Sequence, residues 1–104
     1  MTSKNGPPKL NKISEEKLIR IASRFKALGE PNRLKIIQLL HKQDLTVTQL
    51  VDKTSLSQSN VSQHLKILIN VGLIKKQRFG LNALYFIADE TLAELCGVAC
   101  RGVK

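Results

Sequence analysis

Two short helices joined by a tight turn are predicted within residues 46–68, and few folds accommodate such a pair. Thr46 and Gln49 match a capping box, which marks the start of the first helix. Ser57 is a typical N-cap residue and precedes the second helix. Apolar residues recur along this second helix at spacings of four and three, at Val61, Leu65 and Leu68. Because they share one face, the opposite face is free to contact a partner.

Two longer helices are predicted before this pair. Ser14, followed by two glutamates, favours the start of a first helix, which Gly29 ends. Pro31 is typical of the first residue of the next helix. The stripe of this helix that we expect to be buried comprises Leu34, Ile36, Ile37 and Leu40.

The pattern changes to that of a β-hairpin beyond Gly72. Segments 73–78 and 83–88 are rich in strand-forming residues, and Gly80 in the intervening segment 79–82 can supply a positive φ. Asp89 is then expected to cap a last helix. The predicted fold is mainly α with a β-hairpin wing, in the order α1-α2-α3-α4-β-β-α5. This is the layout of a winged helix-turn-helix, although domains that bind protein or RNA share it.

The charge balance indicates a polyanionic partner. The chain has 17 Lys and Arg against 8 Asp and Glu, for a net charge of +9. Such a surplus favours nucleic acid or an anionic membrane surface. Apolar stretches end well short of the ~18 residues of a membrane span, and the first residues lack the apolar segment of a signal peptide. We therefore expect a cytoplasmic protein with no membrane partner.

A chain of 104 residues has room for one domain. We place this domain at residues 14–104 and interpret residues 1–13 as a flexible basic arm, which suits contact with DNA or with a partner subunit. Catalysis is not expected. The sequence offers no set of nucleophile, base and acid and no glycine-rich phosphate loop.

The polar face of the second helix of the pair predicts DNA binding. Its side chains are short amides, hydroxyls and one lysine, at Gln58, Ser59, Ser62, Gln63 and Lys66, with Asn60 and His64 on the flanks. Such groups can hydrogen-bond base edges and phosphates, and the helix has no acidic residue. On the hairpin, Lys75, Lys76 and Arg78 could reach phosphates or the minor groove, or could instead protect a strand edge from aggregation.

Three runs of sequence resemble the ArsR/SmtB family of bacterial winged-helix repressors. They are FKALGEPNRLKIIQLL (25–40), SLSQSNVSQHLKIL (55–68) and GLIKKQRFG (72–80) with the following LYFI. The resemblance implies a homodimer whose first and last helices form the interface, and whose two recognition helices enter successive major grooves of an imperfect palindrome. It places Ser57, Gln58, Ser59, Ser62, Gln63 and His64 in the recognition helix, and Arg78 and Asn82 in the wing.

The resemblance also implies release from DNA by an inducer, often a metal or metalloid ion. Members that sense arsenic through the third helix have cysteines there, whereas segment 44–50 has none. Members that sense zinc through the last helix need an Asp and a His two residues later. Asp89 matches the first position, but Thr91 occupies the second, so we interpret Asp89 as a helix cap. No metal role is assigned to His41 or His64.

Cys96 and Cys100 are four residues apart and therefore lie on the same side of the last helix. One interpretation is that they only pack in the dimer seam of a ligand-independent regulator. The other is that thiols of both subunits form a soft site for As(III), Cd(II) or another thiophilic ion, or a pair sensitive to oxidation or persulfide. We expect the second, with a partner thiol or a small external thiol as third ligand of As(III).

Overall fold

The order of helices and strands in the computed structural model, which describes residues 10–103, is the order predicted from the sequence. The elements are a turn of 3-10 helix (Leu10–Lys12), α1 (Glu15–Leu28), α2 (Pro31–Lys42), α3 (Val47–Thr54), α4 (Gln58–Asn70), β1 (Ile74–Phe79), β2 (Asn82–Ile87) and α5 (Thr91–Arg101). The predicted winged helix-turn-helix architecture is confirmed. Residues 1–9 of the expected basic arm lie outside the described residues.

Side-chain caps start the helices where the sequence predicts them. Ser14 caps α1. At α3 the capping box is complete: the Thr46 N–H donates to the Gln49 side chain at 2.9 Å, and the Gln49 N–H donates to the Thr46 hydroxyl at 3.2 Å. At α4 the Ser57 hydroxyl accepts from the Asn60 N–H at 3.1 Å. These bonds satisfy N–H groups that have no partner within the helix, and so they fix where α3 and α4 begin.

The turn between α3 and α4 is held by a buried hydroxyl. Ser55 adopts the left-handed region with φ 62° and reverses the chain at the end of α3. The Thr54 hydroxyl donates to the Leu50 carbonyl at 2.7 Å and accepts from the Leu56 N–H at 3.2 Å. The angle between the two helices therefore depends on a few short-range bonds.

One apolar core lies between α2, α3, α4 and the hairpin. Its most deeply buried side chains are Ile36, Leu45, Leu50, Val61, Leu65, Leu68 and Ile74. The predicted inward stripe of α4 is confirmed, as are three of the four predicted positions on α2. Leu34 is the exception: it is 41% exposed, because it lies on a second apolar face of α2 that points away from this core.

The hairpin turn is shorter than predicted. Phe79 pairs with Asn82, so that only Gly80 and Leu81 connect the strands. Gly80 has φ 60°, whereas Leu81 does not have a positive φ. This is the glycine-first pattern of a type II′ turn, which matches the twist of antiparallel strands.

The hairpin is also bonded to the helical part of the subunit. The Leu45 N–H donates to the Tyr85 carbonyl at 3.1 Å, and the Tyr85 N–H donates to the Leu45 carbonyl at 2.8 Å. This isolated bridge joins β2 to the connection between α2 and α3. The wing is therefore attached through backbone hydrogen bonds as well as through the core.

The last helix begins beside Asp89, as expected. The Asp89 carboxylate accepts hydrogen bonds from the Thr91 N–H at 3.0 Å and from the Thr91 hydroxyl at 2.6 Å. Glu90 rather than Asp89 occupies the N-cap position, and its side chain makes no capping bond. The two bonds from Thr91, with a smaller contribution from the charge of Arg24, lower the pKa of Asp89.

Both α1 and α5 leave apolar side chains uncovered in the single subunit. The exposed residues are Leu18, Ile19 and Phe25 on α1, and Leu95 and Val98 on α5. Leu34 of α2 faces the same side, where a groove of about 880 Å³ separates α2 from α5. Among the helices within residues 10–103, none has the length and apolar character that crossing a membrane requires.

Candidate nucleic-acid interface

The side of α4 opposite the core presents the predicted DNA-binding residues together. Six of them are exposed: Ser57, Gln58, Ser59, Ser62, Gln63 and Lys66. Their amides can donate and accept hydrogen bonds at base edges, and their hydroxyls can contact bases or phosphates. The first turn of α4 has no acidic residue, so no carboxylate offsets the positive end of the helix dipole. The face is thus suited chemically to the major groove of DNA.

The cations of the wing are exposed but divided between two faces. Lys75, Lys76 and Arg78 all lie on β1, which is exposed beyond its buried first residue. Successive side chains of a strand point to opposite faces. Lys76 and Arg78 therefore share one face of the hairpin, whereas Lys75 lies on the other. Asn82 begins β2 and is exposed at the end of the hairpin.

His64 does not share the exposed face of α4. Its side chain is only 17% exposed. Its Nδ1 lies 3.4 Å from Nη1 of Arg33, and its Nε2 lies 3.9 Å from Oε2 of Glu30. Because a guanidinium only donates hydrogen bonds, Nδ1 must accept, which places the proton of a neutral imidazole on Nε2. His64 thus lies on the flank of this face, as predicted, with most of its side chain buried against α2.

Sequence patterns do not reveal these partners of His64. Arg33 and Glu30 lie at the start of α2, more than 30 positions from His64. Glu30 caps α2 by accepting from the Arg33 N–H at 2.9 Å. Its position before Pro31 indicates such a cap, but no local pattern relates it to α4.

The two cysteines line the groove between α2 and α5. Cys96 is half-buried and Cys100 is exposed, and both thiols are free. The walls of the groove are mainly apolar, and exposed His41 also lines it. Within residues 10–103, however, no three His, Cys, Asp or Glu side chains lie close enough together to hold a metal ion. One subunit therefore offers two thiols on one face but not a complete set of three ligands.

Sequence comparison identifies the family. The model for bacterial regulatory proteins of the arsR family matches residues 30–76, from the N-cap of α2 into β1. An uncharacterized HTH-type transcriptional regulator of Methanocaldococcus jannaschii is 35% identical over 81 residues, which span 77% of this chain and 91% of that protein. The chain belongs to the ArsR/SmtB family. It is accordingly a DNA-binding transcriptional repressor and not an enzyme.

Two further regulatory proteins are similar to this chain. A probable mercury resistance operon repressor of Streptomyces lividans is 33% identical over 75 residues, which span 72% of this chain and 60% of that protein. The solution structure of a homodimeric winged helix-turn-helix DNA-binding domain from Mycobacterium bovis, a possible ArsR-family regulator, superposes with a TM-score of 0.75. It is 29% identical, and the match covers 86% of each chain.

Proposed function

We propose that this ArsR/SmtB repressor is a cytoplasmic homodimer that binds an imperfect palindromic operator and is released when a thiophilic metal or metalloid ion binds Cys96 and Cys100. Residues 14–104 form the DNA-binding and dimerisation domain. The observation that carries the proposal is the acid-free, exposed face of α4, held outward by the buried stripe on the opposite side.

The uncovered apolar faces of α1 and α5 support the dimer. Phe25 of α1 is 55% exposed and Val98 of α5 is 56% exposed. Large apolar surfaces of this kind mark interfaces between proteins. The homodimeric structure from Mycobacterium bovis shows that a similar chain pairs with itself. In the proposed dimer the two copies of α1 and α5 cover one another, and each subunit directs its own α4 to one half of the operator.

The residues of the DNA interface divide by chemistry. Gln58, Ser59 and Gln63 contact base edges in the major groove and set the sequence preference. Lys66 and the wing residues, among them Lys75, contact phosphates and supply affinity that does not depend on sequence.

Selection of duplexes from a random pool tests the operator. We expect the protein to enrich an inverted repeat with half-sites about 10 base pairs apart, since two recognition helices related by a two-fold axis enter successive major grooves. Enrichment of a single, non-repeated site would contradict the palindrome. If nothing is enriched, sequence-specific binding itself is wrong, and a partner of another class must be sought.

Release by a thiophilic ion requires both cysteines. Each thiol gives up a proton as its sulfur binds the ion, and soft ions prefer such thiolate ligands. One subunit supplies two thiolates. For As(III), a thiol of the partner subunit or a small external thiol provides the third ligand. The mercury-resistance role in the name of the Streptomyces lividans relative supports an inducer of this class. Ligation on α5 alters the dimer seam and so the spacing between the two copies of α4.

Operator release by added ions tests the thiol site. Wild type and the double variant Cys96→Ser with Cys100→Ser are titrated with As(III), Cd(II), Zn(II) and a persulfide donor. Ala99→Ser, on the same helix, is the matched control for an added hydroxyl. We expect As(III) or Cd(II) to release the wild type and the control but not the double variant. If no agent distinguishes the proteins, the thiol site is wrong and a ligand-independent regulator remains.

A further inference from the structure

Arg33 is a side chain of α2 that contacts both α1 and the recognition helix. Its Nε donates to the Ala27 carbonyl at 2.5 Å, and its Nη2 donates to the Lys26 carbonyl at 3.5 Å. Both carbonyls belong to the last turn of α1, and that of Lys26 also accepts the N–H of the C-cap residue Gly29 at 3.2 Å. The remaining arm of the guanidinium, Nη1, points to His64. Arg33 thus connects the end of a proposed dimer helix to α4.

His64 has a charged neighbour beside each ring nitrogen. Arg33 lies against Nδ1, and the carboxylate of Glu30 faces Nε2. Glu30 is itself fixed, because the same oxygen, Oε2, accepts the Arg33 N–H at the start of α2. The two ring nitrogens have different partners, so only one ring orientation places the donor opposite the acid and the acceptor opposite the guanidinium.

We propose that Arg33 and His64 are a positioning pair that sets the orientation of α4 relative to α1, and thereby the sequence preference of the protein. The inference rests on the proposed function, because the base-contacting residues are those of α4. His64 directly follows Gln63, so a turn of the helix about its axis that breaks the contact with Arg33 also moves Gln63 relative to the DNA. Arg33 and His64 act through α4 and not by touching bases.

The main alternative is direct contact between His64 and a phosphate. A protonated histidine that neutralises a phosphate adds to the salt dependence of binding, whereas a positioning residue does not. The two roles also differ in coupling. A positioning pair loses its effect when either member is removed, so the double variant is no worse than each single variant, whereas independent contacts add.

The test compares specific with non-specific binding. The specific probe is the duplex that the wild type enriches from a random pool, and the non-specific probe is a random duplex of equal length. We expect His64→Leu and Arg33→Met each to lower the ratio of the two affinities about tenfold, with non-specific affinity and salt slope unchanged. His64→Gln, whose side-chain oxygen can accept from Arg33 in place of Nδ1, should stay within about twofold of wild type. Lys42→Met removes a positive charge elsewhere on α2 and is the control.

The double variant shows whether the effects of Arg33 and His64 on sequence preference are coupled or independent. We expect His64→Leu with Arg33→Met to be no worse than either single variant. The proposal is wrong if the losses of the two single variants multiply in the double variant. It is also wrong if His64→Leu has a smaller salt slope than wild type, or if the single variants leave the ratio of specific to non-specific affinity unchanged. A variant that retains non-specific DNA binding is taken to be folded. If Arg33→Met does not fold, Arg33→Lys replaces it, because a point-like ammonium cannot bond the α1 carbonyls and His64 together. A pool with no enriched sequence overturns the proposed function before any variant is made, and this inference with it.

Discussion

Nη1 of Arg24 lies 3.9 Å from Oδ2 of Asp89, and Nε of the same side chain donates to the Val71 carbonyl at 3.1 Å. One arginine of α1 therefore contacts the C-cap residue that follows α4 and a residue that precedes α5. Both side chains of the ion pair are nearly half exposed, at 46% and 40%, so solvent weakens their attraction. The hydrogen bond to the carbonyl is accordingly the stronger of the two contacts.

Replacing Arg24 tests this connection. Arg24→Met removes the hydrogen bond to Val71 and the exposed ion pair, and we expect the free energy of unfolding to fall by about 1 kcal/mol. Urea unfolding measures the change, with all proteins at one concentration because a dimer's stability depends on it. Arg20→Met, at an exposed position of the same helix, is the control. Equal losses in the two variants would show that the contacts of Arg24 contribute nothing of their own.

Acid should remove the stabilisation that Asp89 provides. Its pKa is lowered in the folded protein, so folding favours the carboxylate, and this stability is present above the ordinary pKa of 3.8. It is lost as the pH falls through the lower folded pKa. We expect Asp89→Ala to be less stable than wild type at pH 7, with the difference shrinking below about pH 4. Urea unfolding between pH 7 and pH 3 measures it. Glu90→Ala, whose side chain makes no capping bond, should show no such convergence.

The buried hydroxyl of Thr54 should contribute to the free energy of unfolding. Thr54→Val keeps the shape but removes the buried bond to the Leu50 carbonyl and leaves the half-buried Leu56 N–H without its acceptor. Loss of partners by such groups costs about 1–3 kcal/mol. We expect a loss of unfolding free energy in this range, measured in urea. Thr48→Val, on the exposed side of α3, provides the comparison and should change stability by less than about 0.5 kcal/mol.

Gln63 should govern sequence preference with little effect on general affinity. Gln63→Ala removes a side chain that can bond a base edge, and we expect a loss of about 1–3 kcal/mol on the selected duplex. Binding to a random duplex and the salt slope should stay as in wild type. Both affinities are measured at several salt concentrations, with Lys75→Ala as the comparison. If Gln63→Ala loses no more sequence preference than Lys75→Ala, the proposed division between base and phosphate contacts is wrong.

The two neighbouring lysines of the wing should differ in their effect. Lys75 and Lys76 point to opposite faces of the hairpin, so one groove of DNA cannot receive both in the same way. We expect the variants Lys75→Gln and Lys76→Gln to reduce the salt slope by unequal amounts, the larger reduction being about 1. Equal reductions would show that position on the hairpin does not determine which lysine meets a phosphate.

Local signals predict the helix-turn-helix well because its caps involve residues three positions apart. The bonds of Thr46 with Gln49, and of Ser57 with Asn60, form within one turn of helix and leave a clear pattern in the sequence. The error at Leu34 has a different cause. Helical spacing identifies apolar positions but does not say which of two apolar faces meets the subunit's own core.

Long-range contacts account for the rest of what the sequence does not reveal. The inward position of His64 depends on Arg33, which is 31 residues away in the chain and adjacent only in the fold. The shared groove of Cys96 and Cys100 likewise depends on α2 as its second wall. Helical periodicity predicts that the two thiols lie on one side of α5. It does not indicate which residues they face.

The bridge between Leu45 and Tyr85 attaches the wing to the segment that leads into the helix-turn-helix. Two backbone hydrogen bonds and a shared core oppose any independent swing of the hairpin. In the proposed dimer, a signal at the seam would therefore have little scope to reshape either DNA-contacting surface. We expect such a signal to alter the distance and angle between the two DNA-contacting surfaces and to leave each surface intact. The induced dimer would then still bind one half-site of the operator but would no longer bind both half-sites at once.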